Sequence, residues 1–200
     1  MSGALALGAA VPAALAEAPV VDLDGQAVAM ATLWRERAAL CVFLRHFGCI
    51  GCDQQVSELL PRLHELDEHG LAVAFIGSGD VQSMRAFRED FGLADKPLSL
   101  YTDETLASYR AAGLARSMWG VLGPRALGQT LAAAGRGYRQ RSRAGDGSQQ
   151  GGALIVDADG VLRFYFRSRS LGDRADPNEL VQTALKMSLG RARARGAYFV

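Results

Sequence analysis

Long apolar runs are missing from this chain. No stretch reaches the roughly eighteen residues that a membrane-crossing helix needs, so no span is expected. Lysine is almost absent: Lys96 and Lys186 stand alone, and arginine supplies the rest of 22 basic residues against 21 acidic ones. The resulting net charge of +1 carries no electrostatic footprint for nucleic acid. Cysteine is scarce too. Three cysteines, an odd number, do not make a secreted disulfide framework and suit a reducing compartment. There is no internal repeat and no linker that would divide two cores. The alanine-rich start, Met1 to Pro19, resembles a secretory leader only in composition. It has no basic opening, carries Pro12 in its middle and holds Glu17 where an apolar core would end, so the expected location is cytoplasmic.

What is present suits one globular unit. With 49% hydrophobic and 22% charged residues, 200 residues can bury a real core, and a single domain over 1–200 is expected. Asp24-Gly25 separates two short β-type runs, which reads as a hairpin. Thr32 is placed to cap a short helix through Trp34 and Arg35. Ala38 to Leu44 is unbroken apolar sequence, as in a central strand covered on both faces. Val56, Leu59, Leu60, Leu63 and Leu66 then recur at helical spacing, with a kink expected at Pro61 and a stop at Gly70. A strand over Leu71–Ile76 leads through Gly77-Ser78-Gly79-Asp80 into a helix carrying Met84, Phe87 and Phe91. A third core strand, Leu98–Tyr101, precedes a helix through Ala107 and Ala111 capped by Thr102 or Asp103. Residues 113–150 resist reading; Met118–Ala134 is expected to be partly helical and Arg136–Gln150 a loop. Ala153–Val156, the turn Asp157–Gly160 and Val161–Phe166 form a second hairpin, and Pro177 opens a final helix with Leu180, Val181, Ala184, Leu185 and Leu189 inward. Strands alternating with helices, then a late hairpin, predict an α/β fold. Its architecture is a thioredoxin-like three-layer sandwich, with a mixed sheet between helices, an N-terminal β-hairpin and an insert before the last hairpin.

The chemistry lies between the first core strand and the first long helix. Cys49 and Cys52 form a C-x-x-C pair at that junction. A helix N-terminus presents unpaired N–H groups and partial positive charge, which favour thiolate over thiol. Arg45 and His46 stand close enough in sequence to favour the anion as well. The pair reads as redox-active; half of a zinc site and chemically inert thiols are the competing readings. As the helix-starting residue, Cys49 is expected to be the more exposed, attacking sulfur and Cys52 the resolving one; the reverse order stays open. Cys41, inside the strand run, reads as a small core residue. His64 and His69 read as surface groups, and Trp34 and Trp119 as packing residues.

Several segments resemble one family. Leu7-Gly8, Pro12 and Val21–Gly25 resemble its entry into a first hairpin; Val42–Cys52 its active-site strand and loop; Leu100–Asp103 with Tyr109–Leu114 its central segment; Gly145-Asp146, Gln149–Gly152, Val156-Asp157 and Gly172-Asp173 its C-terminal part. The family is the peroxiredoxin-like (alkyl hydroperoxide reductase/thiol-specific antioxidant) branch of the thioredoxin superfamily, near peroxiredoxin-like 2 and the prostamide/prostaglandin F synthases. The chain departs from a standard peroxiredoxin motif, Pro-x-x-x-Thr/Ser-x-x-Cys. Aligning its cysteine with Cys52 puts Arg45 at the proline and Cys49 at the hydroxyl residue. The arginine that the family carries before its late strand falls at about Gly151, which leaves Arg116 as a substitute. A thioredoxin's proline before that strand has no counterpart in Gly151-Gly152-Ala153.

The resemblance implies a thiol-dependent oxidoreductase. It would reduce a peroxide, an endoperoxide or a disulfide through Cys49 and Cys52, and a thioredoxin-type electron donor would regenerate it. No metal, organic cofactor, nucleic acid or membrane partner is expected, and self-association stays open. The reading from another class is a non-catalytic thioredoxin-fold module that binds partners or senses redox state.

Overall fold

Two hairpins bracket three strands linked by helices, and the sequence explains each piece. A computed structural model describes residues 5–114, 148–170 and 173–194. After a short helix α1 (Ala13–Ala16), β1 (Pro19–Val21) and β2 (Ala27–Ala29) pair antiparallel, with Val20 opposite Val28. The turn is held as its composition predicts: the Asp22 carboxylate accepts from the N–H groups of Asp24 and Gln26 at 2.9 and 2.8 Å, and Gly25 supplies a φ of 81°. The next turn, Met30–Leu33, is a 3₁₀ helix with Ala29 at its cap position. Thr32 therefore sits inside it and donates its hydroxyl to Ala29 O rather than capping.

The core strand β3 (Ala39–Phe43) is buried at every residue and lies between β4 (Ala72–Gly77), parallel, and β6 (Gly152–Val156), antiparallel. With β5 (Ser99–Thr102) and β7 (Leu162–Arg167) the sheet runs β2-β1-β5-β4-β3-β6-β7. Alternation along β3 divides the core. Leu40, Val42 and Leu44 face α2 (Ile50–Leu59), α3 (Leu63–Glu68), α4 (Val81–Asp90) and α6 (Pro177–Ala194) through Val56, Leu59, Leu63, Leu66, Phe87, Leu180 and Val181. Ala39, Cys41 and Phe43 face Leu15, Met30, Trp34 and Tyr109 on the other side. The result is the three-layer sandwich that the element order implies.

Pro61 acts as expected: the long helix breaks into α2 and α3 across a 3₁₀ turn, Leu60–Arg62, and Gly70 closes it at a φ of 73°. Asp80 caps α4 by accepting from Ser83 N–H at 2.6 Å. At α5 (Ala107–Ala111) the expected cap needs correction. Leu106 occupies the cap position with a left-handed φ of 60°, while Asp103 supplies the bond by accepting from Ser108 N–H at 2.7 Å. Leu189, expected inward, is 42% exposed. The expected helix over Met118–Ala134, the basic loop that follows, Arg116 and Trp119 lie outside the described residues.

Candidate active site

Residues 44–49 carry the chain from β3 into α2, and the fold pins them from several sides. Leu44 N–H donates to Ile76 O at 2.8 Å, extending the β3–β4 ladder. The Tyr109 hydroxyl lies 2.5 Å from Leu44 O and 2.8 Å from Ile76 O, sharing its proton between them. Ser78 donates to Arg45 O. Gly48 N–H donates to His46 Nδ1 at 3.2 Å, so this histidine serves the loop's shape. The Phe47 ring lies directly on Gly77: a Cβ there would come within 2.3 Å of it. The same ring packs on Phe87 with centroids 5.4 Å apart. These contacts fold the loop inward, and Leu44 through Cys49 are all buried.

Cys49 stands at the N-cap of α2 and Cys52 one turn inside. Cys49 O accepts from both Cys52 N–H and Asp53 N–H at 3.0 Å. The two sulfurs are neighbours: the Cys52 thiol donates to Cys49. That bond is the largest cause that lowers the Cys49 pKa from 9.0 to about 7; burial opposes it, and the Cys52 and Gly51 N–H groups and the positive charge of Arg45 assist. The Cys52 thiol is driven the other way, well above its ordinary value, by the same bond and by burial. Its sulfur also accepts from Arg45 N–H at 3.2 Å. All three cysteines are free thiols.

The expectation that Cys49 is the more exposed sulfur is overturned. Cys49 is 1% exposed and Cys52 4%. A helix start is exposed only if nothing covers it, and here the loop and the apolar cluster around Leu44, Phe47 and Phe164 enclose it. Cys41 lies on the opposite face of the sheet, where burial raises its thiol to about 12. His64 is on the surface, as expected, 3.5 Å from Glu68. Among the described residues no cluster of three or more His, Cys, Asp or Glu is arranged for a metal ion.

Residues beyond the cysteine motif complete the site. Arg45, whose side chain sequence reasoning treats only as a nearby charge, is 3% exposed and extends toward Ser168, with Nη2 3.5 Å from the serine hydroxyl. Gly151 lies beneath it; a Cβ there would sit 2.7 Å from Phe43 O and 3.9 Å from Arg45 Cγ. Gln149 anchors the start of this segment by donating to Leu114 O at 2.9 Å. Arg174 holds Glu58 through two hydrogen bonds of 2.5 and 2.7 Å, which fixes the far end of α2. Ser168 and Tyr109 carried no sequence signal; only long-range pairing brings them here.

Comparison with known proteins matches this arrangement. Residues 58–170 match the AhpC/TSA antioxidant enzyme family, a stretch that starts six residues after Cys52. Human peroxiredoxin-like 2C is 29% identical over 197 residues, covering 88% of this chain and 80% of its own. The prostamide/prostaglandin F synthase of Pongo abelii is 31% identical over 165 residues, covering 80% and 81%. The crystal structure of peroxidoxin BcpB from Mycobacterium tuberculosis superposes with a TM-score of 0.65 at 14% identity, over 92% of this chain and 99% of that one, and so shares the thioredoxin-like fold. Among the described residues no helix is long and apolar enough to cross a membrane. With more than half its length in the matched stretch and a third of its residues shared with such relatives, the chain belongs to the AhpC/TSA antioxidant enzyme family.

Proposed function

We propose that Cys49 and Cys52 are the working thiols of this thiol-dependent oxidoreductase. Cys49 attacks, Cys52 resolves, and the oxidant is a small hydroperoxide. The observation that carries this reading is the opposite displacement of the two thiols. With a pKa of about 7, Cys49 is about half thiolate at neutral pH, whereas Cys52 keeps its proton. The thiolate is the nucleophile, so the helix-starting cysteine goes first, not the one aligned with the peroxiredoxin cysteine. Burial favours a small oxidant. A hydroperoxide needs to reach one sulfur through a narrow opening, while a protein disulfide must bring its own sulfur and backbone into contact. The family resemblance supports a thioredoxin-type dithiol as the donor that returns the pair to the reduced form, and three free thiols suit a reducing compartment such as the cytoplasm.

The reading is tested with hydrogen peroxide, thioredoxin and thioredoxin reductase on the wild type, Cys49→Ser and Cys52→Ser. Wild type turns over, and mass spectrometry of its oxidised form finds Cys49 joined to Cys52. Cys52→Ser reacts once, stops at the sulfenic acid and does not turn over. Cys49→Ser does not react rapidly. Rapid oxidation of Cys49→Ser reverses the order of the two sulfurs; oxidation unaffected by either substitution removes the dithiol from the mechanism.

A further inference from the structure

Arg45 holds a buried donor with nothing to donate to. Its side chain is 97% buried, and Nη1 has no hydrogen-bond partner among the described residues. An N–H of a charged group left unsatisfied away from water is unfavourable, and native structures keep few of them. The rest of the residue is committed. Its backbone N–H reaches Cys52 Sγ at 3.2 Å, and its charge acts on both sulfurs. Nη2 rests against Ser168 Oγ at 3.5 Å. Ser168 is itself fixed: its N–H donates to Gly151 O at 3.0 Å and its hydroxyl to Ser170 O at 2.8 Å, which turns its lone pairs to the guanidinium. Gly151 leaves the stem of Arg45 its room against β6. One end of the planar group is thereby held, and the other end stays open beside the thiols.

We propose that Arg45 Nη1 receives the leaving oxygen of a hydroperoxide while Cys49 attacks, which makes Arg45 a catalytic residue. The proposal rests on the dithiol reading above. The Cys49 thiolate forms an S–O bond to the terminal oxygen and the O–O bond breaks, so two electrons pass from sulfur to the peroxide. The departing oxygen leaves as alkoxide or hydroxide and takes a proton from solvent. Nη1–H donates to that oxygen as its charge grows, an interaction stronger in the transition state than with the neutral peroxide. The Cys52 thiol then displaces water from the Cys49 sulfenic acid to close the disulfide.

The test separates help given to the peroxide from help given to the thiolate. Full-length wild type, Arg45→Lys and Ser168→Ala react with hydrogen peroxide, with cumene hydroperoxide and with iodoacetamide. The reactions are run about two pH units above the Cys49 midpoint of about 7, where the thiolate is nearly complete. Iodoacetamide loses iodide and creates no oxyanion. For Arg45→Lys the peroxide rate constants fall by about a hundredfold, the scale of losing one oxyanion donor, while alkylation stays within about twofold. Ser168→Ala, which leaves the guanidinium in place but frees its Nη2 end, shows the same split at smaller size. It decides the matter if Arg45→Lys does not fold. Equal losses toward peroxide and iodoacetamide, or no loss toward peroxide, overturn the proposal. Wild type that peroxide does not oxidise sinks the underlying dithiol reading as well; an active wild type without the split sinks only the role of Arg45.

Discussion

Removing the Cys52 thiol should make Cys49 a weaker acid. In Cys52→Ala the hydrogen bond that most lowers the Cys49 pKa is gone, while the burial that opposes it remains. A hydrogen bond to a charged group contributes about 1.5–3 kcal/mol. At about 1.4 kcal/mol per pH unit that is about one to two units, on the order of the whole displacement from 9.0 to about 7. The Cys49 midpoint should therefore rise to about 8 or above. The sign is that of an acid whose charged form has lost a donor: at fixed pH there is less thiolate, and reactivity recovers as pH rises. At pH 7 the thiolate fraction should fall from about half to about a tenth or less, and iodoacetamide alkylation should slow about fivefold. The assay is the alkylation rate against pH, with mass spectrometry to assign the modified cysteine. Cys41, raised to about 12, stays silent through this range. Cys52→Ser, whose hydroxyl can still donate, should fall between. A Cys52→Ala midpoint still at about 7 would refute the reasoning and leave Arg45 and the helix N-terminus as what holds the anion.

Gly77→Ala should destabilise the protein by about 1–3 kcal/mol, because its Cβ would meet the Phe47 ring at 2.3 Å in a filled core. Denaturant melts of Gly77→Ala, Phe47→Ala and the double variant should show strong non-additivity, and additive losses would remove the clash as the cause. Tyr109→Phe removes a buried donor from the carbonyls of Leu44 and Ile76. It should cost about 1–3 kcal/mol in the same melts and also speed alkylation of Cys49, by loosening the loop that covers it; unchanged stability would separate Tyr109 from that loop.

The hairpins and the order of strands and helices were legible because local chemistry decides them. Asp24-Gly25 and Asp157–Gly160 carry the side chains and φ angles that tight turns need, and the residues of β3 are apolar without a break because both faces are covered. The cysteine pair was legible for the same reason: its spacing and its place at a helix start are properties of neighbouring residues. Its burial was not. That depends on Phe47 finding Gly77, thirty residues later, and on the Phe47–Phe87 contact, neither of which leaves a local trace. The cap of α5 was misjudged because Leu106 adopts a left-handed φ that its side chain disfavours, in a turn held by the bonds that Asp103 accepts from Ser108. Arg45 was visible as a charge near the thiols, but the approach of Ser168 over Gly151 is set by β6 and β7, more than a hundred residues away.

The same electrostatics fix the direction in which the redox potential of the pair must lie. Arg45 is buried and positively charged, and it lowers the Cys49 pKa; the thiolate in turn compensates the guanidinium. Closing a Cys49–Cys52 disulfide would remove that negative charge and leave Arg45 in place, so oxidation would forfeit an attraction that the reduced form enjoys. A couple whose reduced form is stabilised is a stronger oxidant. Replacing Arg45 by Gln keeps a polar side chain and deletes the charge. The thiolate then loses its partner, and the potential of the pair should move to more negative values. Each unit by which the Cys49 pKa rises corresponds to about 1.4 kcal/mol, or about 30 mV for this two-electron couple. Equilibration of wild type and Arg45→Gln with glutathione buffers, read by thiol trapping, measures the difference. A shift to less negative potential would mean that the disulfide form, not the thiolate, gains more from the buried charge, and the account of how this site makes Cys49 acidic would have to be abandoned.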